Sequence, residues 1–260
     1  MPIQAPQMTC QEFKQIGQKL FNERQYEAAV RPLTLATESF PNKEELWQEL
    51  ILAAKWSGQH ESAVEFCKKA IRHHPRSDWL WRQLGNLLTS CDRLEEAESA
   101  LSNAQRLNPK AEYLWRYYAA LHQKRNDLPK QIEAWENLLA LGTENSDDRF
   151  SLGNAYYDHE NFAKALQSYQ LSVAIEPSAA ALFNIGLVFN NPEVSQDVDA
   201  VDAYRRALLL KPDYDRAKEG LEKTRRKLMR SQIFLHFARN SRARLLARAE
   251  IFEPTSMLSD

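Results

Sequence analysis

The chain has 260 residues, only seven of them glycine, and a formal net charge of −1. That balance gives no global field to recruit nucleic acid or a membrane, and the shortage of turn glycines and β-branched runs argues against sheets and for an all-α protein. Cys10, Cys67 and Cys91 are odd in number and form no CxxC, so a disulfide framework is not expected and a reducing, cytoplasmic setting is the default.

Residues 1–9 hold two prolines and little to bury, and are expected to be a disordered leader. They lack the basic and apolar stretches of a secretory signal, and Thr9 is placed to cap the helix that follows. From Cys10 the chain alternates apolar helical stripes with polar breaks. Phe13, Ile16, Gly17 and Leu20 precede Ala29, Leu33, Ala36 and Pro41 in 10–43. In 44–77 the series is Trp47, Leu50, Ile51 and Ala54, then Ala63, Cys67, Ala70 and Pro75; Ile51 replaces a small residue and is expected to push its two helices apart. The clearest stretch is 78–111, with Trp81, Leu84, Gly85 and Leu88, then Ala97, Leu101, Ala104 and Pro109.

The next stretch, 112–145, keeps Trp115, Tyr118 and Ala119 but puts His122, Gln131 and Leu138 at positions held elsewhere by an aromatic and two alanines. Gly142 replaces proline as its stop and is a suitable helix C-cap. Residues 146–178 restore the series with Leu152, Gly153, Tyr156, Ala165, Tyr169 and Pro177. Residues 179–214 repeat it with Leu182, Ile185, Gly186 and Phe189, then Ala200, Tyr204, Ala207 and Pro212, with an insertion at 190–196. A basic helix over 215–253 follows, its stripe made by Ala217, Leu221, Thr224 and Leu228, and 254–260 reads as a tail. From residue 215 onward eleven basic residues face six acidic ones, whereas 1–214 carry 23 basic and 29 acidic.

This pattern, best seen in DWLWRQLGNLLTSCDRLEEAESALSNAQRLNPKA at 78–111, resembles the tetratricopeptide repeat (TPR), a two-helix unit of about 34 residues. The resemblance implies a right-handed α-α superhelical solenoid of six helix-turn-helix repeats (10–43, 44–77, 78–111, 112–145, 146–178 and 179–214). The 215–253 helix would cap it. It also implies a concave groove lined by the first helix of each repeat, and protein binding as the activity.

Carried over residue by residue, the groove positions include Lys14, Trp79, Arg82, Asn86, Tyr113, Arg116, Tyr117, Phe150, Asn154, Tyr157, Phe183 and Asn184. Arg82 and Arg116 among aromatics suggest an anion-accepting centre. Asn86, Asn154 and Asn184 could bond the backbone of an extended peptide, and Phe150 and Phe183 suggest an apolar end. The carboxylate clamp of chaperone-binding TPR proteins is not matched by any three consecutive repeats.

No HExxH, GxSxG or phosphate-cradling glycine loop is present, so neither an enzyme nor a cofactor is expected. Cys67, His73 and His74 lack metal-ligand spacing, and no metal is expected. His122 reads as a satisfied interior histidine. Ile233, Phe234 and Phe237 fall off the stripe of the basic helix and are not explained by capping alone. Contact of 231–253 with a membrane surface is a secondary reading, and nucleic acid is not expected as a partner. The reading is a protein-interaction adaptor or scaffold holding a peptide; the alternative is a regulatory or targeting arm of a larger enzyme or complex.

Overall fold

A computed structural model describes residues 9–142 and 145–231. These residues form helices and short connections, with no strand among them. They fall into two compact units, Met1–Thr143 and Glu144–Asp260. The first holds α1 (Cys10–Asn22), α2 (Tyr26–Ser39), α3 (Glu44–Trp56), α4 (His60–His73), α5 (Asp78–Ser90), α6 (Leu94–Leu107), α7 (Glu112–Lys124) and α8 (Leu128–Ala140). The second holds α9 (Ser146–Asp158), α10 (Phe162–Ile175), α11 (Ala179–Asn190), α12 (Asp197–Leu210) and α13 (215–231).

Within each unit every helix packs on its successor through α12, and in the first unit α5 also packs on α7 and α1 on α3. This is the stacked helix-turn-helix arrangement of a tetratricopeptide solenoid. Each pair has an apolar face too wide to bury by itself, and the neighbouring pair covers it. In the first unit the result is one continuous core, which includes Leu33, Leu50, Val64, Leu84, Leu101 and Leu121.

The period is written into the backbone. Arg24, Gly58, Asp92, Asn126 and Glu160, each 34 residues after the last, have φ between 56° and 79°. Each closes the first helix of a pair in the same way. The amide of Asp92 bonds the carbonyl of Thr89 at 3.2 Å and that of Arg93 bonds Leu88 at 2.9 Å. The equivalent two bonds recur at Arg24–Gln25, Gly58–Gln59, Asn126–Asp127 and Glu160–Asn161. This is a Schellman closure, which satisfies carbonyls that the helix end would otherwise orphan. Ser195, at φ 51°, follows at an interval of 35 in the pair with the longer connection.

Three tryptophans mark a second recurrence. Trp47, Trp81 and Trp115 donate Nε1–H to the carbonyls of Pro41, Pro75 and Pro109 at 2.8, 3.0 and 3.1 Å. The indole thus ties the start of each pair to the turn before it. At the helix crossings a small residue admits a large one: a Cβ on Gly85 would sit 2.6 Å from Leu101, and one on Gly186 would sit 2.5 Å from Tyr204. Where Ile51 replaces glycine, the residue sixteen positions on is Cys67 instead of a leucine or tyrosine. Both are fully buried, so bulk has moved from one helix to the other. Thr9 caps α1 through a reciprocal capping box with Glu12, and Gly142, at φ 79°, follows α8.

Candidate peptide-binding surfaces

In the first unit the candidate residues lie on α1, α5 and α7. Lys14 is half-buried on α1 and its charge acts on Glu49, whose carboxyl is pushed up chiefly by burial. Gln18 donates to that carboxylate at 3.0 Å. Trp79, also half-buried, packs against the core, and Asn86 is half-buried one helical turn after Arg82.

Both arginines are already paired within their own helices. Arg82 donates through Nε and Nη2 to Asp78 Oδ2 at 3.0 and 2.9 Å, and Arg116 Nη2 lies 2.6 Å from Glu112 Oε1. The guanidinium of Arg116 also sits 5.0 Å from the centre of the Tyr113 ring. Tyr113 is half-exposed and leans on Tyr117, with ring centres 6.3 Å apart. Gln83 donates to the Tyr117 hydroxyl at 3.3 Å across the α5–α7 contact, and its own Oε1 is buried without a hydrogen-bond partner. Burial pushes the Tyr117 phenol up, against the opposing pull of that bond and of the Arg82 charge. The structure therefore brings Arg82, Tyr113, Arg116 and Tyr117 to one pair of packed helices. Asp78 and Glu112 each pair with one arginine of the anion-accepting centre read from the sequence. Those acids were missed as site residues, although the i, i+4 spacing of acid and arginine was the signal for them.

In the second unit Asn154 Oδ1 accepts two hydrogen bonds, from Tyr169 Oη at 2.8 Å and from Asn184 Nδ2 at 2.9 Å. Two donors on one oxygen fix which way the Asn154 amide faces. Neither bond uses the Asn154 NH2 group or the Asn184 carbonyl oxygen. Phe150 packs on Tyr169 at 5.8 Å, and Tyr157 is edge-on to Phe162 at 5.6 Å. Phe183 is only 4 % exposed. Its ring lies 5.8 Å from Tyr204 and 5.2 Å from Tyr214, with the Arg216 guanidinium 5.0 Å from its centre. As a surface residue of an apolar groove end, Phe183 is thus corrected: α12, Tyr214 and α13 take up the side chain.

His122 is also corrected. It is 6 % exposed and stacks on Tyr118, but its Nδ1 is buried with no hydrogen-bond partner. Burial is the main cause holding its pKa below 6.5. His73 stacks on Trp47, while His74 Nε2 lies 3.2 Å from the Pro41 carbonyl and Nδ1 3.9 Å from Glu44. Among the described residues no three His, Cys, Asp or Glu side chains are grouped to hold a metal ion, and no helix is long and apolar enough to cross a membrane.

The described helices have the fold of tetratricopeptide-repeat structures, and residues 54–124 match the family model described as tetratricopeptide repeat. It is similar to the peroxisomal targeting signal receptor of Candida albicans, at 36 % identity over 77 residues, which is 29 % of this chain and 13 % of that one. The chain thus spans about an eighth of that relative's length. The crystal structure of YrrB, a TPR protein with an unusual peptide-binding site, superposes with a TM-score of 0.60 at 17 % identity, over 73 % of this chain and 97 % of that one. PilF of Pseudomonas aeruginosa superposes with a TM-score of 0.64 at 18 % identity, over 82 % of this chain and 97 % of that one. Tetratricopeptide proteins generally mediate protein–protein interaction.

Proposed function

We propose that this protein is an adaptor that holds an extended segment of another protein, and that its activity is binding and not catalysis. The observation that carries this is the Asn154–Asn184 pair. An extended peptide must satisfy its amides and carbonyls when it leaves water. Tyr169 and Asn184 converge on one oxygen of Asn154, and the Asn154 NH2 group and the Asn184 carbonyl oxygen, which those bonds do not use, would pair with one peptide unit. Preorganised amides lose little side-chain entropy on binding. Phe150 and Tyr157 on α9 would contact side chains of the bound segment. In the first unit Arg82, Tyr113, Arg116 and Tyr117, with Lys14, Trp79 and Asn86, offer planar and hydrogen-bonding contacts with their charge largely offset. A neutral or mixed peptide suits them better than a strongly acidic one. The likeness to a peroxisomal targeting signal receptor over 77 residues, and in fold to YrrB with its peptide-binding site, supports this reading. We place the protein in the cytoplasm, consistent with its three free cysteines.

A random-peptide display library selected on the full chain tests this. Selected peptides should lose about tenfold or more in affinity, roughly 1.4 kcal/mol, on the Asn154→Ala/Asn184→Ala double variant. Methylating one backbone nitrogen of the peptide should mimic that loss. Peptides that bind the double variant as well as the parent would reject the assignment. A second reading, an interaction arm within a larger protein, is favoured by the short share of the receptor that the matched segment occupies.

A further inference from the structure

The pair α7–α8 carries polar departures that stacking does not require. Tyr118 and His122 stand where the preceding pair has Leu84 and Leu88, 34 residues earlier. Both leucines are buried and leave no polar atom without a partner, whereas His122 leaves Nδ1 so. A buried polar group with no partner is a local cost that points to a use beyond packing. Trp115, Tyr118 and His122 form one stripe of α7, with the Tyr118 ring 5.7 Å from Trp115 and stacked on His122 at 6.0 Å. With residues of α6 and α8 this stripe lines a cavity of about 190 Å3. It is not the groove face of α7, since His122 lies about 140° around the helix from Tyr117 at 100° per residue.

The charges and flat surfaces of the cavity say what fits it. Lys130 and Glu133 are the two charged residues in its lining. Lys130 Nζ lies 3.6 Å from Asp127 Oδ2, and outside the lining Arg125 Nη1 lies 2.5 Å from Glu98 Oε2. Those pairs offset each other, and among the described residues no ion pair engages Glu133. One carboxylate therefore stands uncompensated beside three aromatic rings. Asn137 adds an amide oxygen, and His122, kept neutral at pH 7 chiefly by burial, has one acceptor nitrogen. A guanidinium answers each feature: it is planar and stacks on aromatic faces, it only donates, and its fork pairs with a carboxylate. An ammonium matches the charge but has no flat face, and an anion is repelled by Glu133.

We propose that this cavity is a second binding site, and that it takes an arginine side chain of a partner protein. The guanidinium lies against the rings of Tyr118 and His122 and pairs with Glu133. The site belongs to the first unit and does not use the Asn154–Asn184 pair of the second.

Titration of the full chain with N-acetylarginine amide, followed through the NMR resonances of the Trp115 indole and the His122 ring, tests it. The shifts should saturate with a Kd on the order of 1 mM, as suits a single side chain. N-acetyllysine amide should bind about fivefold more weakly. Glu133→Gln keeps the size of the side chain and removes its charge, and should weaken the arginine probe about fivefold. His122→Phe, read at Trp115, should weaken it too, while a urea melt shows that variant at least as stable as the parent. Shifts that do not saturate, a lysine probe that binds equally well, or unchanged binding by either variant would overturn the proposal. An equal loss of the arginine probe in the Asn154→Ala/Asn184→Ala variant would assign it to the groove and overturn the proposal as well.

Discussion

His122 brings a polar ring to a packing position of α7 and leaves Nδ1 buried without a partner. An orphaned buried nitrogen costs about 1–3 kcal/mol. His122→Phe keeps the flat ring against Tyr118, so it should raise stability by about 1 kcal/mol in a urea or thermal melt. The charges around His122 are mixed: Asp127 and Glu98 favour its protonation, while Lys130 and Arg125 oppose it. Because burial holds the folded-state pKa below 6.5, the unfolded chain takes up the proton first as pH falls. Stability from this residue is therefore intact above pH 6.5 and declines below it. Melts at pH 7.5 and 5.5 should show that decline in the parent, and His122→Phe should reduce it. The sequence showed that His122 departs from the pattern. It could not show that no hydrogen-bond partner reaches Nδ1, because that depends on side chains from several helices. Phe183 hid its burial for a related reason, since its cover comes from Tyr204, Tyr214 and Arg216, twenty or more residues away.

At the level of helices, the closing turns and the crossings respond to substitution in opposite ways. Arg24 and Glu160 occupy left-handed backbone at φ 59°, where a side chain costs about 1–2 kcal/mol. Arg24→Gly and Glu160→Gly should each stabilise by about 0.5–1 kcal/mol, less than that cost because glycine also frees the unfolded chain. Gly58→Ala, at φ 79° with open space around its Cβ, should lose a similar amount through backbone strain alone. Gly85→Ala should lose about 1–3 kcal/mol for a different reason, since its Cβ would meet Leu101 at 2.6 Å. Equilibrium urea melts of the four variants separate these causes. The crossings were legible from Gly17, Gly85 and Gly153 alone. The turns were not, because only Gly58, Asp92 and Asn126 are residue types that suit that backbone. Arginine and glutamate hold the same conformation because the helices on either side fix it. The compensation of Ile51 by Cys67 was likewise open to reading, but only by comparing positions sixteen apart in different repeats.

Across the whole chain, burial is uneven. In the first unit α1 buries only Gly17, while α3 buries six residues and α5 seven. In a stacked array each pair is held by its neighbours, and a terminal pair has fewer of them. Hydrogen exchange should accordingly be fastest in α1 and slowest in α3 and α5. Equal protection across these helices would mean that the first unit unfolds in one step. The solenoid class could be read from the sequence because its determinants are local and recur. The pairing of Arg82 and Arg116 with their own helices, and the cavity beside His122, depend on what side chains do after packing.

The shared closing turn at 24, 58, 92, 126 and 160 also makes the protein divisible. Excising residues 59–92 would splice Gly58 directly to Arg93, joining a left-handed residue to the partner that already follows one. Every later helix would keep its phase. Removing a stretch half as long would set the second helix of one pair against the second helix of another, burying polar faces. Gene length in such a protein can therefore grow or shrink in whole intervals of 34 codons, with the turn acting as the ruler.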